Sequence, residues 1–360
     1  MRKLFNIIRS GAFVLGLLSL PSPTAAQIQR YNATAENDYG VVYTLPQTEY
    51  IVTATVLHKQ FTPGELAPWS AKYLGKEASV QERHHHQLLD IRVETIGVAD
   101  STKRYVVAFD KRTIAPFVGL MPNGVLYSIN GTTEPEPARA AFVPPSYPQP
   151  DRQMPALPRE YSLAISKSKR AELAATYLYE VREHAMSIVS GSVEQMPKDG
   201  ESMRLILDKL KTEEQRCLRL FEGDTVYNVK RVSYRIVPEQ ADMNGRLLFR
   251  LSEQWGIVPD NDLSGDPVTY ELRILERSPE LDPKERAKRD KLDGIIYNLP
   301  GMAELNITYQ GNSILRERLP ITQVGTIQSL SKKMFNIKEG GTTAVYLDPR
   351  SGALLRVTNE

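Results

Sequence analysis

The stretch "GVVYTLP" at Gly40–Pro46 returns as "GIIYNLP" at Gly294–Pro300, 254 positions later. Gly, Tyr, Leu and Pro are identical at four of the seven positions, and the two residues after the Gly are β-branched in both. Glycine permits an unusual φ or a close backbone approach, and the β-branched pair with Tyr suits a pleated strand. Strand faces alternate, so Val42 and Ile296 are expected to point one way. Val41, Tyr43, Ile295 and Tyr297 are expected to point the other, with Leu45 and Leu299 rejoining the Tyr side. Pro46 and Pro300 remove a ladder donor, so each is expected to end the pairing or mark an edge. A second strand is expected after each, around Ile51-Val52-Thr53 and Leu305-Asn306-Ile307. The two segments therefore read as equivalent first strands of two related β units, with duplication and convergence both open as causes.

The surroundings of each segment support strands. "EYIVTATVLHKQ" (49–60), "LLDIRVETIGV", "KRYVVAFD" and "GVLYSIN" follow the first, separated by Gly, Pro, Asn and Asp. From Asp224 onward "TVYNVKRVSYRIVP", "GRLLFRLS", "PVTYELRILE", "AELNITYQ", "AVYLDP" and "GALLRV" continue the style, with a hairpin turn at Asp348–Gly352. "LAPWSAKYLG" (66–75) reads as a short helix, with Pro68 at its start and Gly75 at its end. The charged run from Glu280 to Asp293 reads as a loop or short exposed helix.

Between the strand-rich stretches the chain changes character twice. Eight of the 25 residues from Glu134 to Pro158 are proline, which predicts an extended, exposed spacer. Residues 166–222 then carry helical periodicity. Ala171, Ala174, Leu178, Val181, Ala185 and Ile188 form one stripe, and Met203, Leu207, Leu210, Cys217 and Phe221 form another. Gly191 and Gly223 supply the stops, and "VEQMPKDG" supplies the turn. The expected fold is α+β and mostly β: two β-sandwich-like units with an antiparallel helical hairpin between them. The expected organisation is a signal peptide at 1–26, a β-rich domain at 27–133, a Pro-rich linker at 134–160, the hairpin at 161–222 and a β-rich domain at 223–360.

The first 26 residues fit a secretory leader. Arg2, Lys3 and Arg9 precede the apolar run Ala12–Leu20, and Thr24-Ala25-Ala26 offers small residues before Gln27. Removing these three basic residues from 45 leaves 42 Lys and Arg against 43 Asp and Glu, a net charge of −1. A near-neutral chain has no broad basic field, so nucleic acid is not an expected partner. The one cysteine, Cys217, excludes an internal disulfide, and none lies beside the cleavage site to take a lipid anchor. No later run is long and apolar enough for a membrane helix. The chain is therefore expected to be exported, periplasmic or at the cell surface, and not lipid-anchored.

Residues able to carry chemistry are few. His84 and His86 share a strand face and could ligate a metal with a third donor, but a polar strand edge around His84-His85-His86 is the favoured reading. Cys217 lies about ten residues along the hairpin from the point opposite His184, roughly 15 Å at 1.5 Å per residue, so it reads as a buried, inert thiol. The Ser-x-x-Lys patterns at Ser166–Lys169 and Ser329–Lys332 lack the accompanying motifs of acylating enzymes. Glu339-Gly340-Gly341 is a turn candidate. The chain has 17 Tyr and two Trp, Trp69 and Trp255, residue types suited both to recognition surfaces and to half-buried strands. No catalytic residue, metal ligand or cofactor is assigned, and binding residues stay open. The expected function is a non-enzymatic binding or scaffolding protein, its partner a protein or glycan. The alternative is a hydrolase of envelope or dietary polymers.

Several of these residues together resemble the family catalogued as domain of unknown function 4831, found in exported envelope proteins of Bacteroides-like bacteria. The resemblance rests on Gly40–Pro46 and on Pro63-Gly64 running into Lys72-Tyr73-Leu74-Gly75. It rests also on Leu220–Thr225 closing the helical pair, and on Gly294–Pro300 followed by Gln323-Val324-Gly325. Phe221-Glu222-Gly223 stands where relatives read closer to Phe-Thr-Gly. The resemblance implies a Gram-negative envelope setting and no particular reaction.

Overall fold

The computed structural model describes residues 29–31, 40–108, 117–132, 135, 140–192, 199–278, 294–330 and 343–359. The leader pattern at 1–26, the charged run at 280–293, the Glu339-Gly340-Gly341 turn and Lys332 lie outside the described residues. The chain is α+β and mostly β, with three antiparallel sheets and four α-helices among the described residues.

Both quoted segments open long strands. Strand β2 (Gly40–Thr62) pairs with β3 (Arg83–Ala108) from Gly40↔Ala108 to Phe61↔Arg83. Strand β10 (Ile295–Tyr309) pairs with β11 (Asn312–Leu330) from Ile295↔Leu330 to Tyr309↔Asn312. The prolines do not end these strands. Pairing breaks register between Thr44 and Pro46 and between Leu299 and Gly301, then resumes. In each case the partner strand skips four residues, Asp100–Lys103 and Thr322–Gly325; the bulge takes up Pro300 itself in β10, whereas in β2 it takes up Leu45 and Pro46 pairs with Ala99 just beyond it. What reads in the sequence as a second strand is the continuation of the first.

Beyond each bulge the strand gains a second neighbour. Strand β6 (Asp224–Ile236) runs along β2 from Tyr50 to Thr62, and β9 (Asp266–Glu276) along β10 from Met302 to Tyr309. Strands β7 (Met243–Ser252) and β8 (Gly256–Val258) complete the sheet β11-β10-β9-β7-β8, opposite the sheet β3-β2-β6. The remaining sheet, β1-β4-β5-β12-β13, is built from β1 (Gln29–Tyr31), β4 (Val118–Leu120), β5 (Leu126–Ile129), β12 (Thr343–Leu347) and β13 (Leu354–Asn359).

The turns of the hairpins β4–β5 and β12–β13 engage the two opening segments in the same way. The Thr44 N–H donates to the Gly124 carbonyl (3.0 Å), and the Asn298 N–H donates to the Gly352 carbonyl (2.9 Å). Within the turns, Met121 N–H bonds the Val125 carbonyl and Asp348 N–H bonds the Ala353 carbonyl, both at 2.8 Å. Gly124 and Gly352 have φ of +81° and +70°, values that favour glycine.

The two β-rich stretches share their cores. Period-two burial along β2 (Tyr50, Val52, Ala54, Val56) meets Phe249, Leu251, Val268, Leu272, Leu305 and Ile307 in one cluster between the facing sheets. A second cluster joins Tyr43 and Leu45 to Ile295, Ile296, Tyr297, Val345 and Leu347. Val42 is exposed and Tyr43 buried, as alternation requires, but Ile296 is buried beside Ile295 and Tyr297. Its backbone meets the Tyr43 hydroxyl, which donates to the Ile296 carbonyl (3.0 Å) and accepts the Ile296 N–H (2.8 Å). Thr48 and Thr322 exchange N–H to Oγ1 bonds of 2.9 and 3.0 Å, and Gln323 Nε2 donates to the Thr48 carbonyl at 2.7 Å. Asn298 Nδ2 donates to the carbonyls of Pro46 (2.9 Å) and Ser351 (2.8 Å). Buried polar groups at this junction are thus matched to one another across 250 residues of chain, as low-dielectric surroundings demand.

The 3₁₀ turn Ala67–Trp69 and α1 (Ser70–Leu74) occupy the expected short-helix position, closed by Gly75 at φ +70°. Helices α2 (Arg159–Leu163), α3 (Lys167–Ser190) and α4 (Gly200–Glu222) follow, with α3 and α4 forming the hairpin. Leu66, Tyr161, Ala171, Ala174, Ala175, Leu220 and Phe221 make a third core where the base of the hairpin meets the 3₁₀ turn.

Candidate functional site

The β2–β3 register assembles a group that the linear spacing leaves apart. His58 sits opposite His86, and Gln60 opposite His84. The His58 and His86 rings stack with centroids 4.2 Å apart and planes 1° apart. His58 Nε2 lies 3.0 Å from His84 Nδ1, so one nitrogen donates and the other accepts. The cluster abuts the β7–β8 turn, where the His86 N–H donates to the Glu253 carbonyl at 2.6 Å. Burial holds the His58 and His86 rings below the ordinary histidine range, and the neighbouring imidazoles add to this. His58 is the third histidine that sequence spacing did not bring to His84 and His86. The signal for it was the strand pairing alone. Among the described residues no group of three His, Cys, Asp or Glu is arranged to hold a metal ion.

The proline-rich segment is anchored as well as exposed. Arg92 Nη1 donates to the Ala140 carbonyl (2.8 Å), Arg231 Nη2 to the Phe142 carbonyl (2.5 Å), and the Arg92 guanidinium lies 5.3 Å from the centre of the Phe142 ring. Tyr147 stacks on Tyr227 at 5.2 Å. Pro144, Tyr147 and Pro150 are half-buried at every third position, the repeat of a polyproline helix laid on a surface. Farther along, Arg216 binds Asp151 and Gln153, both at 2.6 Å, and Arg219 binds the Gln153 carbonyl at 2.6 Å. The segment is thus a strap from the outer face of β3-β2-β6 to α4. A cleft of about 120 Å³ remains beneath it, floored by Thr53, Thr55, Asp90, Arg92 and Glu94.

The other sequence candidates resolve into packing and capping. Cys217 is fully buried, its thiol pushed up to about 12 by burial and then by Glu213 and Glu214, whereas His184 is exposed on α3. The Ser166 hydroxyl caps α3 by accepting the Lys169 N–H (3.2 Å), so that Ser-x-x-Lys pattern is a helix start. Ser329 is a ladder residue opposite Ile296. Trp69 is half-buried in the third core, and Trp255 is exposed in the β7–β8 turn. Burial raises the Asp224 carboxyl, with Arg219 opposing at 3.7 Å. Asp199 and Asp262 are lowered by N–H groups that they cap. Neither environment matches the paired carboxyls of a glycoside hydrolase.

Burial along the hairpin is concentrated towards its base, although Ile188 near the far end of α3 is buried as well. In α4 the buried residues are Cys217, Leu220 and Phe221, all in its last two turns. Towards the other end Met186, Val189, Leu205 and Ile206 are exposed. No described helix is long and apolar enough to cross a membrane.

The family described as Domain of unknown function (DUF4831) matches residues 39–355. No curated protein and no solved structure matches the chain.

Proposed function

The chain belongs to the family Domain of unknown function (DUF4831), and from that premise we propose that it is an exported, non-enzymatic binding or scaffolding protein of the bacterial envelope. The observation that carries this reading is the distal half of the α3–α4 hairpin. Its exposed Met186, Val189, Leu205 and Ile206 stand beyond the last buried residues of α4. They lie on both helices around the buried Ile188, and exposed apolar side chains on both helices of one element are the raw material of a protein contact surface. The β body beneath is a firm mount, because its interior polar groups bond to each other across its two arms, the β-rich stretches before and after the helices. The basic-apolar-small leader pattern and the family resemblance favour the envelope as the setting, with the mature chain starting at Gln27.

A photo-crosslinking residue placed at Val189 or Leu205 in cells is expected to trap one identified envelope protein, while the same residue at the exposed Lys230 traps none. Equal trapping at all three positions, or a cytoplasmic chain that keeps Met1, overturns the reading.

We further propose that the two arms are copies of one unit. The matched bonds Thr44 to Gly124 and Asn298 to Gly352, together with a bulge at the end of each motif where the partner strand skips four residues, support duplication, the bulge falling at Leu45 in one arm and one position later, at Pro300, in the other. In an experimental structure β2–β3 with β4–β5 should superpose on β10–β11 with β12–β13. Failure of the two pairs of hairpins to superpose in the same strand order would refute it.

A further inference from the structure

We propose that His58, His84 and His86 form an acid-operated latch. While neutral, it holds the end of the β2–β3 hairpin against the β7–β8 turn that displays Trp255. Once two of the rings are protonated, it releases that turn.

The geometry permits one added proton more easily than two. The His58 Nε2–His84 Nδ1 contact of 3.0 Å needs one donor and one acceptor. An imidazolium offers two donors and no acceptor, so protonating both rings breaks the bond. The His58 and His86 rings are parallel at 4.2 Å, so charging both sets like charges face to face. The rings cannot separate without moving the turn. The His86 N–H is bonded to the Glu253 carbonyl at 2.6 Å, and a Cβ on Gly256 would lie 2.9 Å from the His86 ring. The ring therefore rests directly on the turn backbone, one residue from Trp255.

The surrounding charges do not cancel a second proton. Glu82 on the approach to β3 has Oε1 3.7 Å from His84 Nε2, and Glu253 of the turn has Oε2 4.0 Å from His85 Nδ1. The Glu82 side chain is half exposed and that of Glu253 mostly so, and at these distances the coupling is weak. Strand β6 presents neutral Asn228 opposite His58 and exposed Lys230 nearby. Lys59 and Arg83 are the strand neighbours, both cationic, and Tyr309 at the end of β10 is neutral at these pH values. Burial, then repulsion from His86 and His84, holds His58 below the free value; burial with repulsion from His84 and His85 does the same for His86, outweighing the backbone of Glu253, whose carbonyl lies 3.3 Å from His86 Nδ1, and of Gln254. The folded form thus prefers neutral rings. The latch is complete above the free histidine value of about 6.5 and is lost as pH falls through the lowered values.

The test uses the full mature chain carrying Trp69→Phe, so that Trp255 alone reports, in buffer with EDTA. Between pH 7.5 and 5, amide exchange at His86, corrected for its intrinsic pH dependence, is expected to rise. Where opening takes up one net proton the rise is about tenfold per pH unit, levelling off below the lowered histidine values, and acrylamide quenching of Trp255 changes over the same range. His58→Gln should abolish both responses, and His184→Gln should leave them. If His58→Gln does not fold, histidine Cε1 proton titration of the unaltered chain decides, because two of the five resonances must titrate below about 6.5. Flat exchange, a response that survives His58→Gln, or five histidines at or above the free value overturns the proposal.

Discussion

Replacing Tyr43 with Phe removes a single oxygen and isolates the cross-arm junction. The Tyr43 ring is 1% exposed, and its hydroxyl both donates to the Ile296 carbonyl and accepts the Ile296 N–H. Along this part of β10 the edge away from β11 has no β9 neighbour, because β9 begins to pair only at Met302. Phenylalanine therefore leaves one buried donor and one buried acceptor without a partner. Each costs about 1–3 kcal/mol, and allowing for partial relaxation the expected loss is about 2–4 kcal/mol. Two sister variants calibrate the result. Tyr50→Phe strips a hydroxyl that only donates, to the Pro320 carbonyl, and should cost about 1–2 kcal/mol. Tyr297→Phe loses a bond to the half-buried Gln328 side chain and should cost less than about 1 kcal/mol. Burial raises the phenol pKa of Tyr43 and Tyr50 alike. The fold favours neutral phenol, so stability should fall as pH rises above the unfolded value of about 10, and Tyr43→Phe should shallow that fall. Urea unfolding of the mature chain at neutral and alkaline pH, with the slope m checked for constancy, measures all of this. A Tyr43→Phe loss of about 0.5 kcal/mol or less, or one below that of Tyr297→Phe, would refute the reasoning.

Gly97→Ala and Gly200→Ala should have opposite signs. A Cβ on Gly97 would stand 2.0 Å from the Pro349 carbonyl oxygen, so the β12–β13 turn must shift at a cost of about 3 kcal/mol. At Gly200, in the first turn of α4, a Cβ meets nothing within 4 Å, and alanine should stabilise by up to about 1 kcal/mol in thermal unfolding. Cys217 should resist a thiol reagent at pH 8 until denaturant unfolds the chain, since burial disfavours its thiolate; rapid native labelling would contradict its placement. Arg216→Ala with Tyr147→Ala should free the strap and speed tryptic cleavage after Arg152 several-fold. An unchanged rate would mean that the strap is not held by these contacts.

Local chemistry was readable without the fold. Gly-β-β-Tyr-x-Leu-Pro marked two strand openings, the stripe from Ala171 to Ile188 and the stops at Gly191 and Gly223 marked the hairpin, and Leu66–Gly75 marked a short helix. These features depend on backbone sterics and on burial of one face within a few residues, so neighbouring side chains determine them. Pro46 and Pro300 were readable only as breaks, because whether a proline ends a strand or is carried through at a bulge depends on slack in the partner strand, here Asp100–Lys103 and Thr322–Gly325. The strap was legible as an extended segment, but its seat on Tyr227, Arg92 and Arg231 required strands that precede and follow it.

What only the tertiary structure decided is which distant groups meet. The β2–β3 register, set by which residues each strand buries and by the bulges at Leu45 and near Val56, puts His58 against His86; a one-residue slip would turn the histidines to opposite faces. The sharing of two cores by both arms follows from the same cause. Tyr43, Thr48, Asn298 and Thr322 find their partners some 250 residues away because sheet faces bury best against one another, and no local pattern encodes that distance.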